Sequence, residues 1–323
     1  MIRMQGRLLA AMLICASLAA GAQTYPSKSV RFVVPYAVGG TYDLYARAIG
    51  PKLSEIWSQP VVVENRIGAN GIIGTDFVAK SAPDGYTIMM GGVGPHGINV
   101  SLYSKLPYDP VRDFAPVIHI SSAPNVLVVH PSVEARSVNE LIALARSRSE
   151  QLIYSSAGSG SSQHLSAEMF KTMAAVPLAH VPYKGGSPGA VAVLAGEVSL
   201  MFASTSDVVR LVRAGRLRAL AVTSPRRIPA LPDTPTMIEA GVPGYDATAW
   251  FGVLVPAATP GEIVNKLNQD ISRVIQIPEI SEIIAQQGSA ESIGGSPEQF
   301  GAFIRADIAK WAKVVKDAGA RVD

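Results

Sequence analysis

The sequence predicts an α/β protein of two hinged lobes, and three observations point there. Short β-branched runs alternate with helical patterns along most of the chain, as in mainly parallel sheets covered by helices. The 323 residues exceed the comfortable size of one hydrophobic core. Finally, Val117–Ile120 and Val126–Val129 are separated only by Ser121-Ser122-Ala123-Pro124-Asn125, a near-continuous extended run that can leave one lobe and enter another. Trp250-Phe251-Gly252-Val253-Leu254-Val255 is placed for the return crossing. These crossings divide the chain into a lobe of residues 23–123 plus 250–323 and a second lobe of 124–249. A single large sheet is the alternative.

Residues 1–22 read as a secretory leader: a basic start (Arg3, Arg7), a short apolar stretch Leu8–Leu18, and Ala20-Gly21-Ala22 as the cleavage site. Export to the periplasm is expected, with the mature chain starting near Gln23. The apolar stretch is too short to span a membrane. Cys15, the single cysteine, leaves with the leader, so no disulfide or cysteine metal ligand is expected. Of the 28 basic residues, removing Arg3 and Arg7 leaves 26 against 25 acidic ones. No basic patch interleaved with aromatics is found, which argues against nucleic acid as a partner.

Strands are predicted at Val30–Val34, Val61–Val63, Thr87–Met90, Val117–Ile120, Val126–Val129, Leu152–Tyr154, Leu178–Val181, Leu200–Phe202, Leu217–Val222 and Phe251–Val255. After the first strand, Leu44, Ala48 and Leu53 fit one helical face. Ser137 with Glu140, Thr259 with Glu262, and Ser296 with Gln299 have capping-box spacing, with Pro260 and Pro297 at the first helical position. Phe300, Ile304, Ile308, Trp311 and Val315 form one stripe of the last helix.

Chemistry concentrates where strands hand over to helices. Pro35-Tyr36-Ala37-Val38-Gly39-Gly40-Thr41-Tyr42-Asp43 puts two glycines at a helix mouth, where bare N–H groups and the helix dipole suit a carboxylate or other small anion. An ordinary βα turn is the bland alternative. Ser155-Ser156-Ala157-Gly158-Ser159-Gly160-Ser161-Ser162 repeats the arrangement with hydroxyls added. A nucleophilic serine would need the Gly-x-Ser-x-Gly elbow, which is absent, and His164 reads as a capping or packing histidine. Gly92-Val93-Gly94-Pro95-His96-Gly97 formally matches a dinucleotide fingerprint, but Pro95, Pro107 and Pro110 leave no room for the required helix and second strand. A cleft-lining loop is expected there. Tyr183-Lys184-Gly185-Gly186 lacks P-loop spacing, so Lys184 reads as a surface charge or a cleft group. Ala203-Ser204-Thr205-Ser206-Asp207 offers either helix capping by Ser206 or Asp207 or further cleft-facing hydroxyls.

The five histidines show no ligand spacing and the acidic residues no catalytic pairing. No metal, cofactor or enzymatic activity is therefore expected, and donor-rich loops favour a binder.

The chain resembles the Bug family, the periplasmic solute-binding proteins of tripartite tricarboxylate transporters, over essentially the whole mature length. The resemblance runs through Tyr25-Pro26-Ser27-Lys28, Gly39–Asp43 with Ala46-Arg47, Gln59–Arg66, Ala82–Thr87 and Leu106–Pro110. It continues through His180–Gly185, Leu217–Thr223 and Pro229–Thr236. It implies a two-lobe periplasmic-binding-protein fold (Venus flytrap, type II) with a two-strand hinge. The ligand would be a mono-, di- or tricarboxylate held by backbone amides, hydroxyls and water, and the partners the membrane subunits of the transporter, the receptor itself being a monomer. In this reading Gly39, Gly40 and Thr41 present N–H groups, Tyr36 walls the cage, and Ser159, Ser161 and Ser162 complete it from the second lobe. Asp43, Gly92, His96, His164, Ser204 and Asp207 are further candidates. Three departures stand out: Ala37-Val38 replaces a proline-rich stretch, Gly92 a common threonine, and Ala203 a frequent aspartate. The last weakens the case for an amino-acid ligand. A sensory receptor for a membrane kinase and a secreted serine hydrolase are the competing functions.

Overall fold

The computed structural model describes residues 25–148, 150–288 and 293–322. The expected leader, with Cys15, lies outside the described residues. The first lobe contributes β1 (Val30–Val34), α1 (Thr41–Trp57), β2 (Val61–Asn65), α2 (Ile72–Ala79), β3 (Thr87–Gly92), α3 (Asn99–Leu102) and β4 (Phe114–Ala123). The second follows with β5 (Asn125–Val129), α4 (Val138–Ser147), β6 (Leu152–Ser156), α5 (Ser162–Ala174) and β7 (Leu178–Pro182). Its remaining elements are α6 (Gly186–Leu194), β8 (Leu200–Ser204), α7 (Thr205–Arg213) and β9 (Arg218–Val222). The chain then returns through β10 (Ala249–Pro256), α8 (Gly261–Ile275), α9 (Pro278–Gln286) and α10 (Pro297–Ala318).

Two five-stranded sheets result, ordered β2-β1-β3-β10-β4 and β7-β6-β8-β5-β9. They share one topology. In each, a parallel trio is followed by one antiparallel strand, β10 in the first and β5 in the second. Those two strands carry the chain across. Pairing of β4 with β10 ends at Ala123↔Ala249; Pro124 has no N–H to extend the ladder, and Asn125 opens pairing with Ser204 in the other sheet. Thr223 pins this crossover, its hydroxyl accepting from the Asn125 amide at 2.8 Å and donating to the Ala247 carbonyl at 3.2 Å.

All ten predicted strands are present. β5 and β10 are buried along their whole length, as strands covered on both faces must be. Ser137 caps α4 by accepting from the Glu140 amide, and Ser296 with Gln299 forms a complete capping box with Pro297 at the start of α10. Two expectations fail locally. Thr259 does not cap α8, because its hydroxyl donates to the Pro256 carbonyl at 2.7 Å and Pro260 stands at the cap position. On α1 the buried stripe is Tyr45, Ala46, Ile49, Leu53 and Trp57, while Leu44 is exposed; the short apolar count placed the face one position off. On the last helix, Phe300, Ile304, Trp311 and Val315 are buried as expected.

One apolar cluster runs through both lobes, joining Met89, Trp250, Ile304 and Trp311 to Leu127, Leu165, Phe170 and Phe202. Helix α10 packs against both β4 and α5, so this seam ties the lobes together on one side. The buried indoles of Trp57 and Trp250 each donate to a carboxylate, Asp270 and Asp307, at 2.7 Å. No helix of the described residues is long and apolar enough to cross a membrane.

Candidate functional site

Within each parallel trio the chain reverses direction of travel between the first strand and the third, β1/β3 in one sheet and β6/β8 in the other. Backbone loops leaving such a switch point diverge and open a crevice at the carboxyl ends of the strands. Here the two crevices face one another. The loops after β1, β3, β6, β7 and β8, with hinge residues Ala123, Pro124, Asn125 and Ala249, enclose a cavity of about 670 Å³, within the range of small-molecule sites. Four helices, α1, α5, α6 and α7, begin on its wall. The caps of α1 (Gly40), α6 (Gly185) and α7 (Ser204) supply no side-chain hydrogen bond to the first turn. The same is true of α8 and α9, which begin away from the cavity, whereas Ser161 caps α5. Uncapped first turns leave N–H donors and the positive dipole ends for something else to satisfy.

On the first-lobe side the lining includes Tyr36, Ala37, Val38, Gly39, Gly40 and Thr41. Gly39 has φ +86° and open space where a Cβ would stand, a conformation that glycine adopts without strain. Its amide is already used, donating to Asp43 Oδ2 at 2.9 Å. Asp43 is 1% exposed and also accepts from Arg47 Nε (2.9 Å) and Asn65 Nδ2 (2.9 Å). Burial pushes its carboxyl upward, but the bonds from Arg47, Gly39 and Asn65 outweigh this and hold it below the usual range. Asp43 thus shapes the loop from behind and lies outside the cavity lining, and Gly39 offers backbone shape more than a vacant donor. The Thr41 hydroxyl donates to Gln287 Oε1 at 3.2 Å.

An aromatic wall stands beside this loop. The rings of Tyr36 and Tyr42 lie 4.5 Å apart, and Tyr42 meets Phe251 edge-on at 4.8 Å. All three line the cavity. The Tyr36 hydroxyl donates to Asn70, whose Nδ2 reaches both Asn99 (2.8 Å) and, across the cleft, the Gly160 carbonyl (3.4 Å). Gly92 lies outside the lining. A side chain there would collide with the Tyr42 hydroxyl and the Trp250 carbonyl, so glycine serves ring packing. The neighbours Val93 and Gly94 line the cavity instead. His96 sits in a π-helical turn over Gly94–Ile98, fully buried against Phe114 and Trp250. Burial pushes it down to about 3, and it too is outside the lining.

From the second lobe come Ala157, Gly160, Ser161, Ser162 and Gln163, Lys184–Pro188, and Ser204–Asp207. Ser161 caps α5, accepting from the His164 amide at 3.2 Å. Ser159 is exposed and outside the lining. His164 lies behind the loop, its Nδ1 accepting from the Gly160 amide at 3.2 Å while its ring stacks on His180 at 4.2 Å. The packing reading of His164 therefore fits its surroundings, and among the described residues no cavity-lining serine hydroxyl bonds a histidine ring. Ser156 does contact His180 Nε2 at 2.7 Å, but Ser156 is buried and absent from the lining. Ser204 accepts from Gln163 Nε2 at 2.9 Å, and Asp207 from the Ser187 hydroxyl at 2.9 Å. Helix α7 starts at Thr205, with Ser204 at its cap position, two residues before Ser206 and three before Asp207, the expected caps.

Of the thirteen candidates, Tyr36, Gly39, Gly40, Thr41, Ser161, Ser162, Ser204 and Asp207 share the cavity wall. Asn70, Gln163, Phe251 and Gln287 were missed. Asn70 and Gln287 reach the cavity from distant parts of the chain without a local motif to mark them, whereas Gln163 directly follows the serine-rich loop and Phe251 lies in the return strand. Among the described residues no cluster of His, Cys, Asp or Glu could hold a metal.

Two facing α/β lobes with anion-suited helix ends in a hinged cleft define a solute-binding receptor. The chain belongs to the tripartite tricarboxylate transporter family receptors (TctC), whose family model matches residues 45–320. It is 37% identical to the protein BugT of Bordetella pertussis over 302 residues, 93% of this chain and 92% of that one. Among solved structures it resembles R. palustris Rpa4515 with adipate, with 41% identity, a TM-score of 0.83, and 92% of this chain and 100% of that chain covered. It also resembles MatC from Rhodopseudomonas palustris with bound malate, with 32% identity, a TM-score of 0.80, and coverage of 90% and 100%. The family is one of solute-binding receptors rather than enzymes.

Proposed function

We propose that this protein captures a small organic carboxylate in the periplasm and presents it to the membrane subunits of a tripartite tricarboxylate transporter. The observation that carries the reading is the convergence of helix N-termini from both lobes on one cavity, three without side-chain caps. A carboxylate there accepts charge-assisted hydrogen bonds, each contributing roughly 1.5–3 kcal/mol. Several of them, less ordering costs, support micromolar binding, about −8 kcal/mol. Adipate and malate in the two similar structures fit the same chemistry. Contacts made by both lobes at once exist only in the shut form, so the ligand shifts the population towards it. The shut form is what the transporter recognises. Thr41, Ser161, Ser162 and Ser204 supply hydroxyls, Gly39 and Gly40 the open backbone, and Tyr36 a wall.

Isothermal titration of the purified protein with a panel of carboxylates tests this. Binding by at least one acid, abolished in Gly39→Asp with the melting temperature near that of wild type, supports it. A flat response to the whole panel rejects the ligand class.

A further inference from the structure

We infer that the cavity takes an aromatic monocarboxylate in preference to a dicarboxylate, because Asp207 already fills one helix mouth and Tyr36, Tyr42 and Phe251 form an aromatic wall. This deepens the proposed function and rests on its carboxylate reading.

The charge inventory of the cavity decides the first half. Among the described residues its lining carries two charged side chains, Lys184 and Asp207. Asp207 belongs to α7, yet its carboxylate lies at the start of α6. Oδ1 accepts from Ser187 Oγ at 2.9 Å, and a Cβ added to Gly186 would collide with Oδ2. The uncapped α6 thus has a carboxylate from elsewhere in the fold at its N-terminus, a position that favours any anion. At the Gly39–Thr41 end the Asp43 carboxylate stands behind the loop and is paired with Arg47. At this end Asp207 lines the cavity itself and, among the described residues, no ion pair joins it to Lys184, so a ligand carboxylate aimed here meets the less compensated like charge. Burial, acting against the Ser187 bond, pushes the Asp207 carboxyl up. The chain can therefore accept one carboxylate easily and a second only against Asp207.

The walls decide the second half. Tyr36 and Tyr42 are tilted by 42°, Tyr42 and Phe251 meet edge-on, and Tyr45 stands edge-on behind Phe251 at 5.3 Å, so the rings pack as one aromatic wall. Opposite polar loops, such a wall favours a flat ring through stacked or edge contacts. Val38 (67% exposed) and Leu44 (37%) extend the apolar surface into the same cavity. Exposed aliphatic side chains in a cleft mark surface to be covered by a ligand. A short hydroxylated diacid would leave them wet.

Titration of wild type and Asp207→Asn with benzoate, phenylacetate, hexanoate, adipate and malate tests the inference. Benzoate or phenylacetate should bind wild type at least ~10-fold more tightly than adipate or malate, and more tightly than hexanoate. Asp207→Asn, which keeps the Ser187 partner, should narrow the gap to adipate by ~5–10-fold. Equal or tighter binding of adipate or malate by wild type overturns the inference while leaving the carboxylate reading intact. Parity of hexanoate with the ring acids, or an unchanged ratio in Asp207→Asn, overturns it too. Silence towards all five acids overturns it by removing the reading beneath it.

Discussion

Asn70 Nδ2 donates to the Gly160 carbonyl across the cleft at 3.4 Å, so the two lobes touch through side chain and backbone at the edge of the cavity. Gly160 has φ +80°, and a Cβ there would collide with buried Leu102 of the opposite lobe. Gly160→Ala therefore combines about 1–2 kcal/mol of left-handed backbone strain with a wedge between the lobes. We expect a larger radius of gyration in small-angle scattering without ligand and a weaker apparent affinity. An unchanged scattering profile would show that this contact does not set the lobe separation.

Asp43 organises the first loop by accepting from Gly39, Arg47 and Asn65. Asp43→Asn should destabilise the protein by about 1–3 kcal/mol, the range for a charged hydrogen-bond acceptor lost from a buried site. Because the folded carboxyl is held below its usual range, its contribution is complete above the ordinary carboxylate pKa and disappears as pH falls through the folded value. Denaturant melts of wild type and variant should differ most at neutral pH and converge in acid.

His180 behaves in the same sense for another reason. Burial, then the neighbouring His164, pushes it down to about 4, so the folded protein keeps it neutral between Ser156 and the Tyr154 ring. An unfolded chain takes up the proton near pH 6.5. Stability from this site is full above that pH and declines towards pH 4. His180→Gln should flatten the melting temperature across that window, as read by differential scanning calorimetry.

Ser137 and Ser161 cap α4 and α5 through the same bond to the third amide. Each, changed to alanine, should lose about 1 kcal/mol of stability. Only Ser161 lines the cavity, so only Ser161→Ala should also weaken carboxylate binding by titration. Equal loss of affinity in Ser137→Ala would mean that stability alone explains the effect.

Strands were legible because β-branched runs between turn residues have few alternatives, and Ser296-Pro297 with Gln299 wrote its own helix start. Thr259 was misread because a hydroxyl near a proline serves a turn as readily as a cap, and spacing alone does not separate the two. The anion-suited loops Tyr36–Thr41 and Ser161–Ser162 were legible from glycines and hydroxyls at strand ends. Asn70 and Gln287 were not, since only folding brings them there. The position of Asp43 behind its loop, not in it, depends on a bond to Gly39 that no spacing rule specifies.

The apolar seam joining Met89 and Trp250 to Phe170 and Phe202 carries a mechanical consequence. Separating the lobes along that flank would expose oily side chains to water, so the jaws can swing apart only at the opposite, glycine-lined lip. Heating should accordingly melt both halves in a single cooperative step, and neither half, expressed by itself, should hold its shape.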